Sequence, residues 1–462
     1  MVKKRKRKLN TGNLLKVIAV VLVILIVISM GVLLFLPSMP QFLKSEHKDA
    51  EVLKEKTGDV YAAVYYPAVQ QQGMQEAVSH VAEEMLSQIM ERSSEYKKEK
   101  DRLLIRGDYR MNVLDERYTA YCFEITTSLD DRYSYGRLYD VQQDQWVDLS
   151  TLLDESALKR VSAEMRVVLK ENEAMREAAY QLPLIEATAW DSGNYFNYYI
   201  GENGLEFFLN PDQDLISQPV SVTVSFDVLQ AHFNLQGEFP EEQTVVLDVL
   251  PRVIDPNRPM VALTFDDGPH PKNTPEILDL LQHYDSAATF FMQGFRIERY
   301  PETTLMVVNA ASEAANHSYD HKKLTKLHGD ALLFQLNRAD ELLRELTADQ
   351  FSMKHYRPPY GALNDEVKAN ASTPMILWDV DTLDWKTRDP QSTIDITLAE
   401  AQEGSIILMH DIHAETVQAV RTIIPQLIEQ GYQLVTVEEM LSAKNVWPMN
   451  GQKVFSAENI KD

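Results

Sequence analysis

Apolar and polar positions change their rhythm several times along the chain, and each change predicts a different kind of element. Val17 to Leu36 is a run of 20 residues without a charge, rich in Val, Ile and Leu, long enough to cross a bilayer as a helix. Residues 41 to 56 are charged and read as a tether. From Met74 the apolar positions Met74, Val78, Val81, Met85 and Ile89 recur at steps of three and four, which predicts an amphipathic helix running to about Lys100. Strands are predicted over Tyr118 to Thr127 and Tyr133 to Val141, with a turn into Trp146-Val147, and a second helix from Glu155 to about Glu171. Val220, Val222, Val224 and Phe226 alternate with polar residues, as a half-buried strand should. This middle stretch reads as α+β, with helices segregated from antiparallel strands.

Pro251 to Pro259 holds three prolines and reads as a linker. Beyond it strands and helices alternate. Apolar runs predict strands at Met260 to Phe265, Ala287 to Met292, Pro374 to Val380, Gly404 to Met409 and Tyr432 to Val437. Asn273-Thr274-Pro275-Glu276 is a helix start leading into Ile277, Leu278, Leu281 and Tyr284, and helical patterns cover 330 to 346 and 414 to 430. Such alternation means βα units and a mostly parallel sheet or barrel. The stretch is short for eight full units, so a reduced (β/α) barrel is expected.

Charge sharpens this picture through its distribution. The net charge is −24, yet Lys3, Lys4, Arg5, Lys6, Arg7 and Lys8 lie within the first 13 residues, which contain no acid. The body is therefore more acidic than the total, and nucleic acid and anionic bilayers are excluded as its partners. The basic cluster before Val17 predicts a cytoplasmic N-terminus, with everything after Pro37 outside. A cleaved signal peptide has an apolar core of about 7 to 15 residues and a small-residue cleavage site. Pro37-Ser38-Met39-Pro40 offers no such site, so an uncleaved single-pass anchor is expected. Cys122 is the single cysteine, which leaves any metal site to His and carboxylates.

Eight of the 11 histidines lie between 270 and 413. The strand from Met260 ends in Thr264-Phe265-Asp266-Asp267-Gly268-Pro269, placing two carboxylates where α/β folds put their chemistry. Both reach one site only if the chain turns there, and Gly268 and Pro269 supply that turn. His317 and His321 are four apart in Asn316-His317-Ser318-Tyr319-Asp320-His321, and on a helix they would share a face. Two imidazoles and a carboxylate make the ligand set of open hydrolytic zinc sites. Arg357-Pro358-Pro359-Tyr360, Asp381-Thr382-Leu383-Asp384-Trp385 and Leu408-Met409-His410-Asp411 follow in order near predicted strand ends.

These stretches together resemble the five motifs of the polysaccharide deacetylases of the NodB-homology type, carbohydrate esterase family 4, across about residues 257 to 442. Trp378 to Trp385 and the anchored multidomain layout look most like a streptococcal-type peptidoglycan N-acetylglucosamine deacetylase. The resemblance implies a distorted barrel and removal of acetyl groups from a β-1,4-linked amino sugar. It implies that Asp267, His317 and His321 hold a divalent metal, usually zinc, with Co²⁺ or another dication as alternatives. Asp266 would be the base, Arg357 would orient it and favour its ionised form, and His410 would be the proton donor, tuned by Asp384. The Tyr360 backbone N–H would stabilise the oxyanion, and Trp385 and Leu408 would line the acetyl pocket.

One stretch departs from the family. Where it has Gly-His-Glu-Ile/Val-Gly-Asn-His, this chain has Ala311-Ser312-Glu313-Ala314-Ala315-Asn316-His317. Two glycines become Ala, a problem only if either position needs a positive φ. In the middle region, Arg137-Leu138-Tyr139-Asp140 to Trp146-Val147-Asp148-Leu149, with Tyr195 to Tyr199, resembles a domain of unknown function of extracellular bacterial proteins, which implies a wall-side accessory module.

The expected organisation is a basic tail at 1–13, an anchor at 14–36, a tether at 37–56 and an accessory region at 57–250. A linker at 251–259, the deacetylase domain at 260–445 and a C-terminal tail at 446–462 complete it. The expected function is metal-dependent deacetylation of N-acetylglucosamine in peptidoglycan, outside the membrane. The alternatives are a deacetylase of chitin oligomers, poly-N-acetylglucosamine or acetylated xylan, or a non-catalytic wall-binding protein.

Overall fold

The computed structural model describes residues 41–96, 103–129, 132–192, 197–209, 220–229 and 247–461. The basic tail and the apolar run read as an anchor lie outside the described residues, as do residues 97–100 at the end of the expected first helix. No helix among the described residues is long and apolar enough to cross a membrane. The chain forms two compact units, one of Met1–Tyr109 with Glu124–Arg132, the other of Arg110–Phe123 with Tyr133–Asp462.

In the first unit, β1 (Glu51–Thr57) runs antiparallel to β2 (Val60–Tyr66). The helix Gln72–Tyr96 then crosses over, so that the start of β3 (Leu103–Val113) pairs parallel with β2. That crossover departs from the purely antiparallel expectation. Met74, Val78, Val81 and Met85 are buried as the helical spacing requires. Residues 51–56, read as tether, are in fact strand. Their charged side chains are mostly exposed, so no apolar alternation announces them, and backbone pairing together with Tyr66 Oη donating to Glu51 (2.8 Å) holds them. Charged side chains on such a strand also discourage further pairing.

In the second unit, β4 (Tyr118–Thr127) and β5 (Arg132–Asp140) contribute their parts, and β5 turns back into β6 (Gln145–Val147). The helix Glu155–Glu171, capped by the Asp154 carboxylate accepting from the Ala157 N–H, buries Val161, Met165 and Leu169. These pack in one apolar cluster with Leu205, Phe207, Val222 and Val224. The latter four belong to an antiparallel sheet of β7 (Tyr198–Ile200), β8 (Gly204–Leu209) and β9 (Val220–Ser225). Within the unit, Arg166 donates to the last carbonyls of the 273–283 helix, Gln282 O and His283 O, both at 2.7 Å.

The α/β part is built on β10 (Met260–Asp266). Its neighbours are β11 (Thr289–Met292), β12 (Glu313–Asn316), β13 (Met375–Ile376), β14 (Val380–Asp381), β15 (Ile406–His410) and β16 (Gln433–Leu434). The parallel order is β12-β11-β10-β15-β14, with β16 against the start of β10. Single parallel bridges from Asn316 to Tyr356 and from Tyr356 to Met375 carry the curl on to β13. β10 is buried along its whole length because its two faces meet different apolar layers. Val261, Leu263 and Phe265 pack with Leu278, Val420 and Ile424 of the covering helices. Met260 and Ala262 face an inner cluster with Phe291, Ile376 and Ile406. By the period of two, Thr264 and Asp266 face inward as well.

Two expectations are corrected here. The strand expected over Pro374 to Val380 is split into β13 and β14, because Arg357 takes the carbonyls of Ile376 (3.2 Å) and Leu377 (2.9 Å) while Asp379 receives the Ile406 N–H (2.7 Å). The C-terminal stretch read as a tail forms β17 (Lys453–Ser456) and β18 (Asn459–Lys461), with β17 parallel to β13. The buried Val454 holds it in the inner cluster.

Candidate active site

The site lies where β10, β12 and β15 end. Asp266 and His410 are register partners across the parallel β10–β15 ladder, so their side chains leave the sheet on the same face. Asp267 follows in a left-handed conformation, φ +74°, which turns its carboxylate back beside that of Asp266. Gly268 then passes so close to Asp411 that a Cβ would collide with its carboxylate.

Arg357 fixes Asp266. Its Nη1 lies 2.7 Å from Asp266 Oδ1 and 2.7 Å from Thr264 Oγ1, and its guanidinium, fully buried, stands over the Phe291 ring at 4.0 Å. With Nε and Nη2 on the Ile376 and Leu377 carbonyls, the side chain is held on every nitrogen. Asp266 Oδ1 is thereby committed, and Oδ2 faces His317 Nε2 at 3.6 Å.

His317 and His321 come together without a helix. The segment is a turn in which Ser318 (φ +68°) and His321 (φ +61°) are left-handed. Asn316 Oδ1 accepts from Ser318 N, and Ser318 Oγ accepts from His321 N, both at 2.9 Å. The His317 Nδ1 lies 2.8 Å from Arg357 O. A carbonyl only accepts, so Nδ1 carries the proton and Nε2 offers its lone pair to the site. Asp267 Oδ1 is 3.6 Å from His317 Nε2 and 3.5 Å from His321 Nε2, and the three ligand atoms lie within 4.8 Å of one another. Burial, and then the neighbouring His317, lower the His321 pKa, which keeps its lone pair free. One carboxylate and two imidazoles suit a borderline dication such as Zn²⁺.

His410 is held from behind by Asp384. Its Nδ1 is 2.8 Å from Oδ1, its backbone N–H donates to Oδ2 at 2.8 Å, and Thr416 donates to the same oxygen at 2.7 Å. Burial alone would depress the imidazole, but the hydrogen bond and charge of Asp384, with Asp266 and Asp267 beyond, push its pKa up to about 9. Asp384 is shifted the other way, its burial outweighed by the His410 and Thr416 bonds. The adjacent His413 is pushed down to about 4 by burial and Arg388.

Tyr360 has φ +62°, its ring set edge-on to His321 with centroids 4.6 Å apart and otherwise exposed. Trp385, half exposed, follows Asp384, and the buried Leu408 lies two residues before His410 on the same face of β15. Of the two Ala positions that replace family glycines, Ala311 is left-handed at φ +54°, whereas Ala315 sits in β12 and is not. His317 is delivered all the same, its N–H bonded to Met292 O at 2.9 Å.

Residues that sequence reasoning passed over are also here. Gln293, the first polar residue after the apolar β11, touches Asp267. Asp411 is fully buried, accepts from the Thr274 hydroxyl and has its carboxyl pushed up to about 7, chiefly by burial. A polar residue directly after a buried strand was the available signal for Gln293. For Asp411 it was adjacency to His410.

A family model described as polysaccharide deacetylase matches residues 254–375. The chain is 30% identical over 409 residues to the peptidoglycan-N-acetylmuramic acid deacetylase PdaC of Bacillus subtilis, covering 83% of this chain and 85% of that relative. It is 36% identical over 184 residues to the peptidoglycan-N-acetylglucosamine deacetylase PgdA of Listeria monocytogenes, covering 40% of this chain and 39% of that one. A solved structure of peptidoglycan deacetylase PdaC from Bacillus subtilis is similar at 40% identity and a TM-score of 0.41, over 42% of this chain and 94% of that chain. The chain belongs to the polysaccharide deacetylase family.

Proposed function

We propose that this protein is a metal-dependent hydrolase that removes N-acetyl groups from the amino sugars of peptidoglycan. The observation that carries the reading is the register pairing of Asp266 with His410, a base and an acid at the ends of two adjacent strands, beside the triad of Asp267, His317 and His321. A non-catalytic wall-binding protein has no need of that pairing.

Asp267, His317 and His321 would hold the ion, with Zn²⁺ the best match to their donors. When bound, such a dication lowers the pKa of a water and polarises an amide carbonyl. Asp266 accepts the water's proton at Oδ2, since its Oδ1 is occupied by Arg357. As oxygen adds to the acetyl carbon, negative charge builds on the carbonyl oxygen, and the Tyr360 N–H is assigned to receive it. His410, protonated at neutral pH with Nδ1 turned to Asp384, donates from Nε2 to the departing nitrogen. The C–N bond breaks to give acetate and a free amine. Trp385 and Leu408 line the side for the acetyl methyl.

Two sugars of peptidoglycan carry the acetamide. The Listeria relative matched over the catalytic part is named for N-acetylglucosamine, which we take as the leading substrate. The relative matched over most of the chain acts on N-acetylmuramic acid, which supports that sugar as a second reading. Mass spectrometry of digested peptidoglycan after treatment locates the lost acetyl group. Loss from glucosamine supports the first reading, loss from muramic acid the second, and loss from neither overturns the function. Val17 to Leu36 and the basic residues before it support anchoring in the cell membrane with the catalytic unit outside; cell fractionation tests this.

A further inference from the structure

We infer that Gln293 is a positioning residue for the metal centre, holding the Asp267 carboxylate where it can share one cation with both imidazoles. This rests on the metal site proposed above. Gln293 follows β11 directly and is 6% exposed. Its side-chain Nε2 donates to Asp267 Oδ1 at 2.5 Å, and that same oxygen faces His317 and His321. The amide is the one hydrogen-bond donor to that carboxylate among the described residues. Since a carboxylate only accepts, the amide must present its NH₂.

The backbone around Gln293 has a matching role. Its N–H donates to Gly268 O at 2.9 Å, and the next two N–H groups, of Gly294 and Phe295, donate to Ser318 O and Tyr319 O at 3.0 Å each. Three consecutive residues therefore bracket the turn that carries Asp267 and the turn that carries His317 and His321. All these turns depend on left-handed residues, Asp267, Ser318 and His321, whose side-chain directions no strand pleat dictates. The bracket supplies the direction instead, and for Asp267 its only side-chain component is Gln293.

The chemistry of the residue also suits the place. A Lys or Arg here would orient Asp267 equally well but set a positive charge against the cation. A Glu would repel the carboxylate. The neutral amide engages one lone pair of Oδ1 and leaves the other for the ion. Outer partners of this kind change metal affinity by about 10–100-fold when removed.

The test is zinc affinity, measured on the purified chain by competition with a chromophoric chelator, with the thermal midpoint of the metal-free protein recorded alongside. Gln293→Met keeps length without a donor, and Gln293→Asn keeps the donor but falls short. Each is expected to weaken zinc binding about 10–100-fold at an unchanged metal-free midpoint, and Gln293→Asn decides if Gln293→Met does not fold. In an Asp267→Ala background, which leaves Gln293 no side-chain oxygen to hold, the Gln293→Met change is expected to cost nothing further. Parent-like affinity in the single variants, or an equal loss in both backgrounds, overturns the inference while leaving the metal site standing. A parent chain that binds no zinc removes the metal site and the inference together.

Discussion

Asp266 and His410 occupy register-paired positions on adjacent parallel strands, and each is backed by a partner of opposite charge: Arg357 Nη1 at 2.7 Å for the carboxylate, Asp384 Oδ1 at 2.8 Å for the imidazole. The two supports share no residue, so the carboxylate and the imidazole are held independently.

The Asp384 support has a pH signature. His410 must be protonated to serve as the acid, so the rate falls as pH rises through its raised pKa of about 9. Replacing Asp384 by Asn removes the carboxylate that raises it, and the alkaline limb of the kcat profile moves down towards the ordinary imidazole value of 6.5. An unmoved limb would refute the assignment of His410.

Arg357 carries both structure and chemistry. Arg357→Leu leaves Asp266 buried without its guanidinium partner and frees the Ile376 and Leu377 carbonyls. Breaking a buried pair from one side costs about 3–5 kcal/mol, and denaturant unfolding should report a loss of that size together with loss of turnover.

Ala311 is strained where the family has Gly. A non-Gly residue at φ +54° costs about 1–2 kcal/mol in the left-handed region, partly offset by the extra chain entropy that Gly loses on folding. Ala311→Gly should therefore raise stability by up to about 1 kcal/mol and leave zinc affinity unchanged, as read by thermal unfolding and zinc titration.

Glu313 and His355 form a buried pair at 2.5 Å, with Glu313 also accepting from Thr289 Oγ1 and Glu438 N. Partner charge outweighs burial in both, lowering Glu313 and raising His355. The Glu313 contribution is present above 4.5 and lost as pH falls through its folded pKa. The His355 contribution is complete below 6.5 and lost as pH rises through its folded pKa. The midpoint difference between the parent chain and Glu313→Gln should therefore be largest between 4.5 and 6.5 and shrink at both extremes.

Much of the site was legible because its residues sit in contiguous motifs at strand ends: β10 as an unbroken apolar run before Asp266-Asp267, and β15 before His410. What the sequence concealed depends on long-range partners. His317 and His321 meet through left-handed turns, not the shared face of a helix, and their four-residue spacing does not distinguish the two. The break between β13 and β14 is imposed by Arg357 from far along the chain, so Pro374 to Val380 reads as one strand. β1 was hidden because most of its side chains are charged and exposed, so no apolar alternation marks it.

The central claim is metal-dependent deacetylation with Asp266 as base. It is tested most directly by stripping the purified chain of metal, incubating it with N-acetylated peptidoglycan strands with and without Zn²⁺, and assaying acetate and new amines together, with Asp266→Asn in parallel. Equal release of both products is expected only with the metal, together with a loss of about 10²–10⁴-fold in Asp266→Asn, which still binds zinc. Zinc binding without release by the parent chain, or undiminished release by Asp266→Asn, would contradict it.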